Sequence, residues 1–380
     1  MYMNNNEIIK RYGSDYIEMT TTLLEYAHLA NEIGDTTKQI GIKPNLVTPT
    51  PASFGATTHP EIVEGIIKYL QNNNFRKISI IEGSWVGDKT SEAFINCGYK
   101  SLCEKYDVEF IDTQKDHFHE KDCAGMSLNI CDSVDTIDYM INVPVIKGHC
   151  QTKMTCALKN MKGLIPNSEK RHFHTMGLHK PVAHLSVGIH QDFIVVDHIC
   201  GDPNFEEGGN PLQTDCVMVC KDPVLIDSYA CSLLGLSAKD VSYVGMAEAL
   251  GSGSTDLNKA EISILNENGE VIKSFSADKK DPYEKAFSHR DLNLDISVDV
   301  DECDSCSACF ACFTAVLYRL KDEGLWNGGS LPKISIGQGH KGKNGAYGIG
   351  NCCRTFDHFI KGCPPKEEDI YEQLREWMTD

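Results

Sequence analysis

No stretch of the 380-residue chain approaches the ~18 consecutive apolar residues of a membrane span, so none is expected. The opening Met1-Tyr-Met-Asn-Asn-Asn-Glu7 carries neither the basic stretch nor the apolar run of an export signal, and a cytoplasmic location is expected. Basic residues are scarce, 36 Lys+Arg against 54 Asp+Glu, a formal charge of −18. Like charges repel, so wholesale binding to nucleic acid or to an anionic membrane is excluded. The phosphate loop GxxxxGK(S/T) is missing, which removes support for an ATP-hydrolysing engine of that type. Internal repeats and low-complexity tracts are missing too.

Cysteine is what the chain has in excess, 17 residues. A reducing and oxygen-poor compartment suits that number better than disulfides, because nothing directs export. Ten are scattered over the first 302 residues without ligand spacing (Cys97, Cys103, Cys123 and Cys131 among them) and read as small buried hydrophobes. The other seven are concentrated. Cys303-Asp-Ser-Cys306-Ser-Ala-Cys309-Phe-Ala-Cys312 is followed by Gly350-Asn-Cys352-Cys353 and Gly362-Cys363-Pro-Pro365. Thiolates two residues apart can converge on one centre, and Cys-Pro after such a run is a feature of ferredoxin-type iron–sulfur sites. A structural zinc with four thiolates would suit the pairs as well. Seven thiols are one short of two four-thiolate clusters, so one cluster is expected rather than two. The glycines from Gly337 to Gly350 let backbone approach closely and offer N–H groups to sulfur. Gly337-Gln-Gly339-His-Lys-Gly342 matches GxGxxG, but no helix pattern follows it, so it reads as a loop.

Upstream, strand and helix patterns alternate. Tyr16, Met19, Leu23, Tyr26, Ala30 and Ile33 form one apolar helical stripe between Ser14 and Gly34. Strands are expected at Gln39–Leu46, Lys77–Glu82, Val108–Asp112, Asp138–Val145, Phe193–Val196 and Cys216–Cys220. Helices are expected from Thr58 through Leu70, at Ser91–Lys105, at Met154–Leu164 and at Val224–Leu234. Polar residues and turn signals increase over 258–297, as in a connecting region. The pattern predicts an α/β fold, a mostly parallel sheet with flanking helices, followed by a small C-terminal cysteine-rich domain. Ligands of such sheets bind outside the carboxyl ends of the strands. Those ends present Lys43-Pro-Asn45, Glu82-Gly-Ser84, Asp112, Lys147-Gly-His149, Asp197 and Asp222-Pro223.

One segment runs against the acidic composition. Between Lys147 and Lys180 stand Lys147, Lys153, Lys159, Lys162, Lys170, Arg171 and Lys180 with a single acid, Glu169, and with His149, His172, His174 and His179. On a helix, Thr155, Lys159 and Lys162 would share a face. A solvated basic face is the bland explanation. A pocket for a small anionic ligand, with lysines as point charges and histidine as acid–base group, is the functional one. Expected substrate-binding residues are Lys43, Asn45, Lys147, Lys153, Thr155, Asn160 and Lys162. Expected catalytic residues are His149, His174 and Lys159.

Several segments carry a family resemblance: Ile42-Lys-Pro-Asn-Leu46, Ala56-Thr-Thr-His-Pro60, Glu82-Gly-Ser-Trp-Val-Gly-Asp88, Leu158-Lys-Asn-Met-Lys-Gly163, Gly177-Leu-His-Lys-Pro181, Glu207-Gly-Gly-Asn-Pro211 and Asp222-Pro-Val-Leu-Ile-Asp227. With Cys306-Ser-Ala-Cys309, Gly350-Asn-Cys352 and Gly362-Cys-Pro-Pro365, the chain resembles the uncharacterised iron–sulfur-centre proteins built on the domain of unknown function 362. The resemblance implies a 4Fe-4S cluster on Cys306, Cys309, Cys352 and Cys363, with Cys303 and Cys312 as alternates and Cys353 as an extra thiol. The expected organisation is a helical segment over 1–35, an α/β domain with the basic pocket over 36–298, and a cluster-binding domain over 299–380. Two classes of function fit. One is an iron–sulfur oxidoreductase whose small anionic substrate lies in the Lys/His pocket next to the cluster, with a non-redox lyase or isomerase using the cluster as Lewis acid as its variant. The other is a non-catalytic electron-transfer or binding module serving a redox partner protein. A scaffold of about 300 residues with polar strand ends exceeds what a simple carrier needs, which favours the enzyme.

Overall fold

The computed structural model describes residues 3–288, 300–302, 305–326 and 331–378. Two compact units emerge. The larger comprises 1–148, 152–204 and 208–289; the smaller comprises 149–151, 205–207 and 290–380.

The larger unit is built on a nine-stranded sheet. In chain order its strands are β1 (Glu7–Tyr12), β2 (Ile40–Pro44), β3 (Ile78–Glu82), β4 (Glu109–Asp112), β5 (Tyr139–Val143), β6 (Phe193–Gly201), β7 (Leu212–Cys220), β8 (Glu261–Leu265) and β9 (Val271–Ser276). The spatial order is β9-β8-β1-β7-β6-β5-β2-β3-β4. The run from β6 to β4 is parallel throughout, whereas β6–β7, β7–β1 and β8–β9 pair antiparallel. The chain is therefore α/β, with a large, mostly parallel sheet flanked by helices. Side chains alternate across the sheet, so each strand feeds two cores. Ile40, Ile42, Tyr139, Ile141, Phe193 and Val195 enter one; Met140, Ile194, Val196 and Met218 enter the other.

Local chemistry explains the helices. Helix α1 (Tyr16–Tyr26) starts at Asp15, whose carboxylate accepts from Glu18 N at 3.0 Å. Helix α2 (Pro60–Asn72) has Pro60 in its first turn, where its missing N–H costs nothing. It buries Ile62, Val63, Ile66, Ile67 and Leu70, each contributing roughly 1.5–3 kcal/mol of transfer free energy.

Two expected helices are shorter in the structure. Ser91–Lys105 is divided into Thr90–Asn96 and Tyr99–Tyr106 because Gly98 takes a left-handed conformation, φ +85°. Over Met154–Leu164 the chain is extended at Lys153–Thr155, and helix α3 covers only Ala157–Asn160 before a 3₁₀ turn at Met161–Leu164. The cause is remote. Asp227, on helix α5 (Pro223–Leu233), accepts from Ala157 N at 2.7 Å and Leu158 N at 3.3 Å, which sets the helix start at 157. Between them lies helix α4 (Asn167–Met176). The N-terminal segment contributes strand β1 as well as helices, and Cys303 lies outside the described residues.

The smaller unit has four parallel three-residue strands in sequence order: β10 (Val300–Glu302), β11 (Ile334–Ile336), β12 (Tyr347–Ile349) and β13 (His358–Ile360). Helices α6 (Ser307–Asp322) and α7 (Glu367–Trp377) pack on each other, and Phe313, Leu317, Leu320, Ile336, Ile360 and Leu374 form its core. Among the described residues, no helix is long and apolar enough to cross a membrane.

Candidate functional site

At the carboxyl ends of β2, β3 and β5 the larger unit buries an unusual amount of polarity. Lys43, Lys147, Asn142, Asn45, Glu82 and Asn160 are all at most 6% exposed. Lys43 Nζ is 2.6 Å from Glu82 Oε2, and Glu82 also accepts from Leu46 N (3.1 Å) and Gly83 N (2.6 Å). Asn160 is the hub. Its Oδ1 accepts from Asn45 Nδ2 at 2.9 Å, and its Nδ2 donates to Asn142 Oδ1 at 2.7 Å and to Lys43 O at 3.2 Å. Lys147 Nζ donates to Ala56 O at 2.6 Å and reaches Asn45 Oδ1 at 3.3 Å. Gly163 makes the packing possible, since a Cβ there would fall 2.0 Å from Glu82 Oε1 and 2.6 Å from Lys43 Nζ.

Burial sets the electrostatics. It lowers the Lys43 amine, against the pull of Glu82. Lys170, on α4, donates to Gly83 O (2.9 Å) and Ser84 O (2.8 Å), and burial pushes it down to about 8. His174 is one turn further along the same helix and half-buried. Thr155 is buried, and its Oγ1 finds no hydrogen-bond partner among the described residues.

The lysine-rich segment thus divides. Lys147, Lys159 and Lys170 are buried and Lys162 is half-buried. Lys153, Arg171 and Lys180 are exposed, so for these three the solvated face is the right description. Lys153 sits at φ +64° in an extended segment, which removes the shared helical face expected for Thr155, Lys159 and Lys162. His149 belongs to the smaller unit, where its Nε2 is 3.0 Å from Glu206 Oε2. Asp197 points to the opposite sheet face from Lys43: its Oδ2 accepts from His59 N and meets His59 Nδ1, both at 2.8 Å, where His59 immediately precedes α2. Glu82, Asn142 and Lys170 were not among the expected ligand residues. Glu82 had a signal, a carboxylate closing an apolar parallel strand two strands from β5.

In the smaller unit the thiols gather. Burial holds the Cys309 thiol well above its usual value, and Cys306, Cys352, Cys312 and Cys363 add to the effect as neighbours. A Cβ at Gly350 would stand 3.2 Å from Cys309 Sγ, so a glycine keeps that approach open. Asn351 ties two of the loops together, donating from its N to Gly362 O (2.8 Å) while its Oδ1 accepts from Gly362 N (3.0 Å). Cys312 differs from the rest: burial, then Glu367 and Glu207, push it up to about 11. Cys353 is buried with its Sγ 3.4 Å from Ser335 O, a packing role. Among the described residues, no three His, Cys, Asp or Glu side chains already stand in a metal-holding arrangement.

Comparison with known proteins bears out the domain of unknown function in the resemblance noted above. The thylakoid-associated protein sll1697 of Synechocystis sp. is 22% identical over 228 residues, which are 56% of this chain and 68% of that protein. The lactate racemase apoprotein from Thermoanaerobacterium thermosaccharolyticum aligns with a TM-score of 0.36 at 15% identity, over 56% of this chain and only 54% of its own length. The family model described as domain of unknown function (DUF362) matches residues 40–232, about half of the chain, and with it the strand-end segments Lys43–Asn45 and Glu82–Ser84 and the helical segment Leu158–Gly163: the protein belongs to that family.

Proposed function

We propose that the protein is an iron–sulfur oxidoreductase acting on a small anionic organic substrate. The observation that carries this reading is the gathering of Cys306, Cys352, Cys312 and Cys363 around Cys309. Their donor set and the glycine-lined approach at Gly350 fit a cluster. Cys306, Cys309, Cys352 and Cys363 would hold one 4Fe-4S group, with Cys312 as an alternate ligand. Bound there, the cluster would supply one-electron transfer, fed by a partner protein in a reducing compartment. The larger unit does the recognition. Lys43 and Lys147 at the strand ends and Lys159 on α3 supply positive charge, Asn160 and Asn45 hold the first two in place, and Thr155 offers a buried hydroxyl. Lys170, whose amine burial pushes down to about 8, can exchange a proton near neutral pH, and His174 lies a turn away on the same helix.

Anaerobic purification tests the cluster. Brown protein absorbing near roughly 400 nm with about four irons per chain is expected. Replacing Cys309 or Cys363 with Ser should abolish the colour, and replacing Cys97 or Cys131 should not. Colourless protein holding stoichiometric zinc after iron-replete expression would overturn the reading.

Anion recognition is tested separately. Inorganic phosphate at a hundred times its dissociation constant should stabilise the protein by ~2.7 kcal/mol through mass action. Lys159→Met should lose that response and keep its absorption spectrum. An unchanged response in Lys159→Met would overturn the pocket reading.

A further inference from the structure

Gln338 and Lys341 lie in the glycine-rich connector between β11 and β12, outside the matched family segment and outside the cysteine motifs. Gly337, at φ +119°, turns the chain into a short 3₁₀ segment, Gln338–His340, closed by Lys341 N donating to Gln338 O at 3.0 Å. On that turn Gln338 Nε2 donates to Cys306 Sγ at 3.5 Å. Lys341 Nζ donates to Gln338 Oε1 at 2.7 Å.

The two contacts determine one another. An ammonium can only donate, so Lys341 claims the carbonyl end of the amide. The amide nitrogen is thereby left facing the sulfur, and the alternative flip would set donor against donor. The chain runs from an exposed ammonium, through a half-buried amide, to a cysteine sulfur. Positive charge and N–H donors directed at cluster sulfurs favour the state with one more electron.

We propose that Gln338 and Lys341 are positioning residues that raise the reduction potential of a cluster held by Cys306, Cys309, Cys352 and Cys363, Gln338 through its hydrogen bond to Cys306 and Lys341 by orienting Gln338 and by its charge. This rests on the iron–sulfur reading above. The couple concerned is one electron passed from dithionite, through mediators, to the oxidised cluster; no bond forms or breaks and the four thiolates stay in place.

Potentiometric titration of the anaerobically purified, full-length holoprotein, followed by visible bleaching, tests it. Gln338→Leu should lower the midpoint by a tenfold change in the reduced-to-oxidised ratio, ~59 mV for one electron. Lys341→Met should lower it several-fold in the same ratio, and Lys341→Arg should restore most of the loss. An exposed charge is screened by salt, so the Lys341→Met shift should shrink between 0.01 and 1 M salt, while the Gln338→Leu shift persists. If Gln338→Leu fails to retain iron, Lys341→Met, altered only at an exposed side chain, carries the test. Parental midpoints in iron-replete Lys341→Met and Gln338→Leu would overturn the proposal and leave the cluster reading standing. Parent protein without iron would overturn both.

Discussion

Replacing Lys43 with Met should cost roughly 3–5 kcal/mol of stability, read as a lower midpoint in urea unfolding. The side chain is fully buried, its Nζ 2.6 Å from Glu82 Oε2, and Glu82 is 3% exposed. Removing the ammonium leaves a carboxylate inside the protein, held by the N–H groups of Leu46 and Gly83. The donation from Nζ to Pro44 O at 2.8 Å is lost as well. Arginine offers no rescue, because the close approach of Gly163 leaves no room for a guanidinium. The double variant Lys43→Met/Glu82→Leu removes both charges and should recover most of the loss, since a buried pair contributes little net stability over apolar groups of similar size. A loss below ~1 kcal/mol in the single variant, the size of an exposed pair, would show that the two charges are solvated.

The pair belongs to a buried hydrogen-bonded frame tied to the ends of three parallel strands. Much of it was readable in the sequence. The strands β2, β3 and β5 are short apolar runs ending in polar residues, and Pro60 after a Thr-Thr-His stretch marks the start of α2. The concentration of cysteines towards the C-terminal end was readable from their spacing. Other features depend on contacts that no local window contains. Lys153 and Lys159 look alike in sequence, yet one is exposed and the other buried. Asp197 falls on the sheet face opposite Lys43 because side chains alternate along β6, and the register of β6 against β5 is set by pairing. The bond from Gln338 to Cys306 joins residues 32 positions apart, on either side of α6 and β11.

Asp227 is the clearest case of a remote determinant, and it makes stability depend on pH in an unusual direction. Its carboxylate is fully buried, 70 residues from the Ala157 N–H that it accepts. Burial pushes its pKa from 3.8 up to about 7, and the hydrogen bonds from Ala157, Leu158, Cys156 and Tyr243 offset only part of that. Below pH ~4 the group is protonated in both folded and unfolded chains and contributes no pH dependence. Between pH ~4 and ~7 the folded state keeps a proton that the unfolded chain has released, so stability falls as pH rises through this window. Above ~7 the cost is complete. About three units at ~1.36 kcal/mol each make it on the order of 4 kcal/mol. Asp227→Asn cannot titrate and still offers one acceptor to the α3 N–H groups. Measured by urea unfolding against the parent, it should gain on the order of 4 kcal/mol in relative stability between pH 4 and 7.5. A flat difference over that range would mean that Asp227 is ionised throughout. Asp227→Leu separates capping from titration: it leaves the Ala157 and Leu158 N–H groups without their acceptor at every pH and should loosen the helix that carries Lys159 and Asn160. Phosphate should then stabilise Asp227→Leu less than Asp227→Asn, which keeps that helix in place.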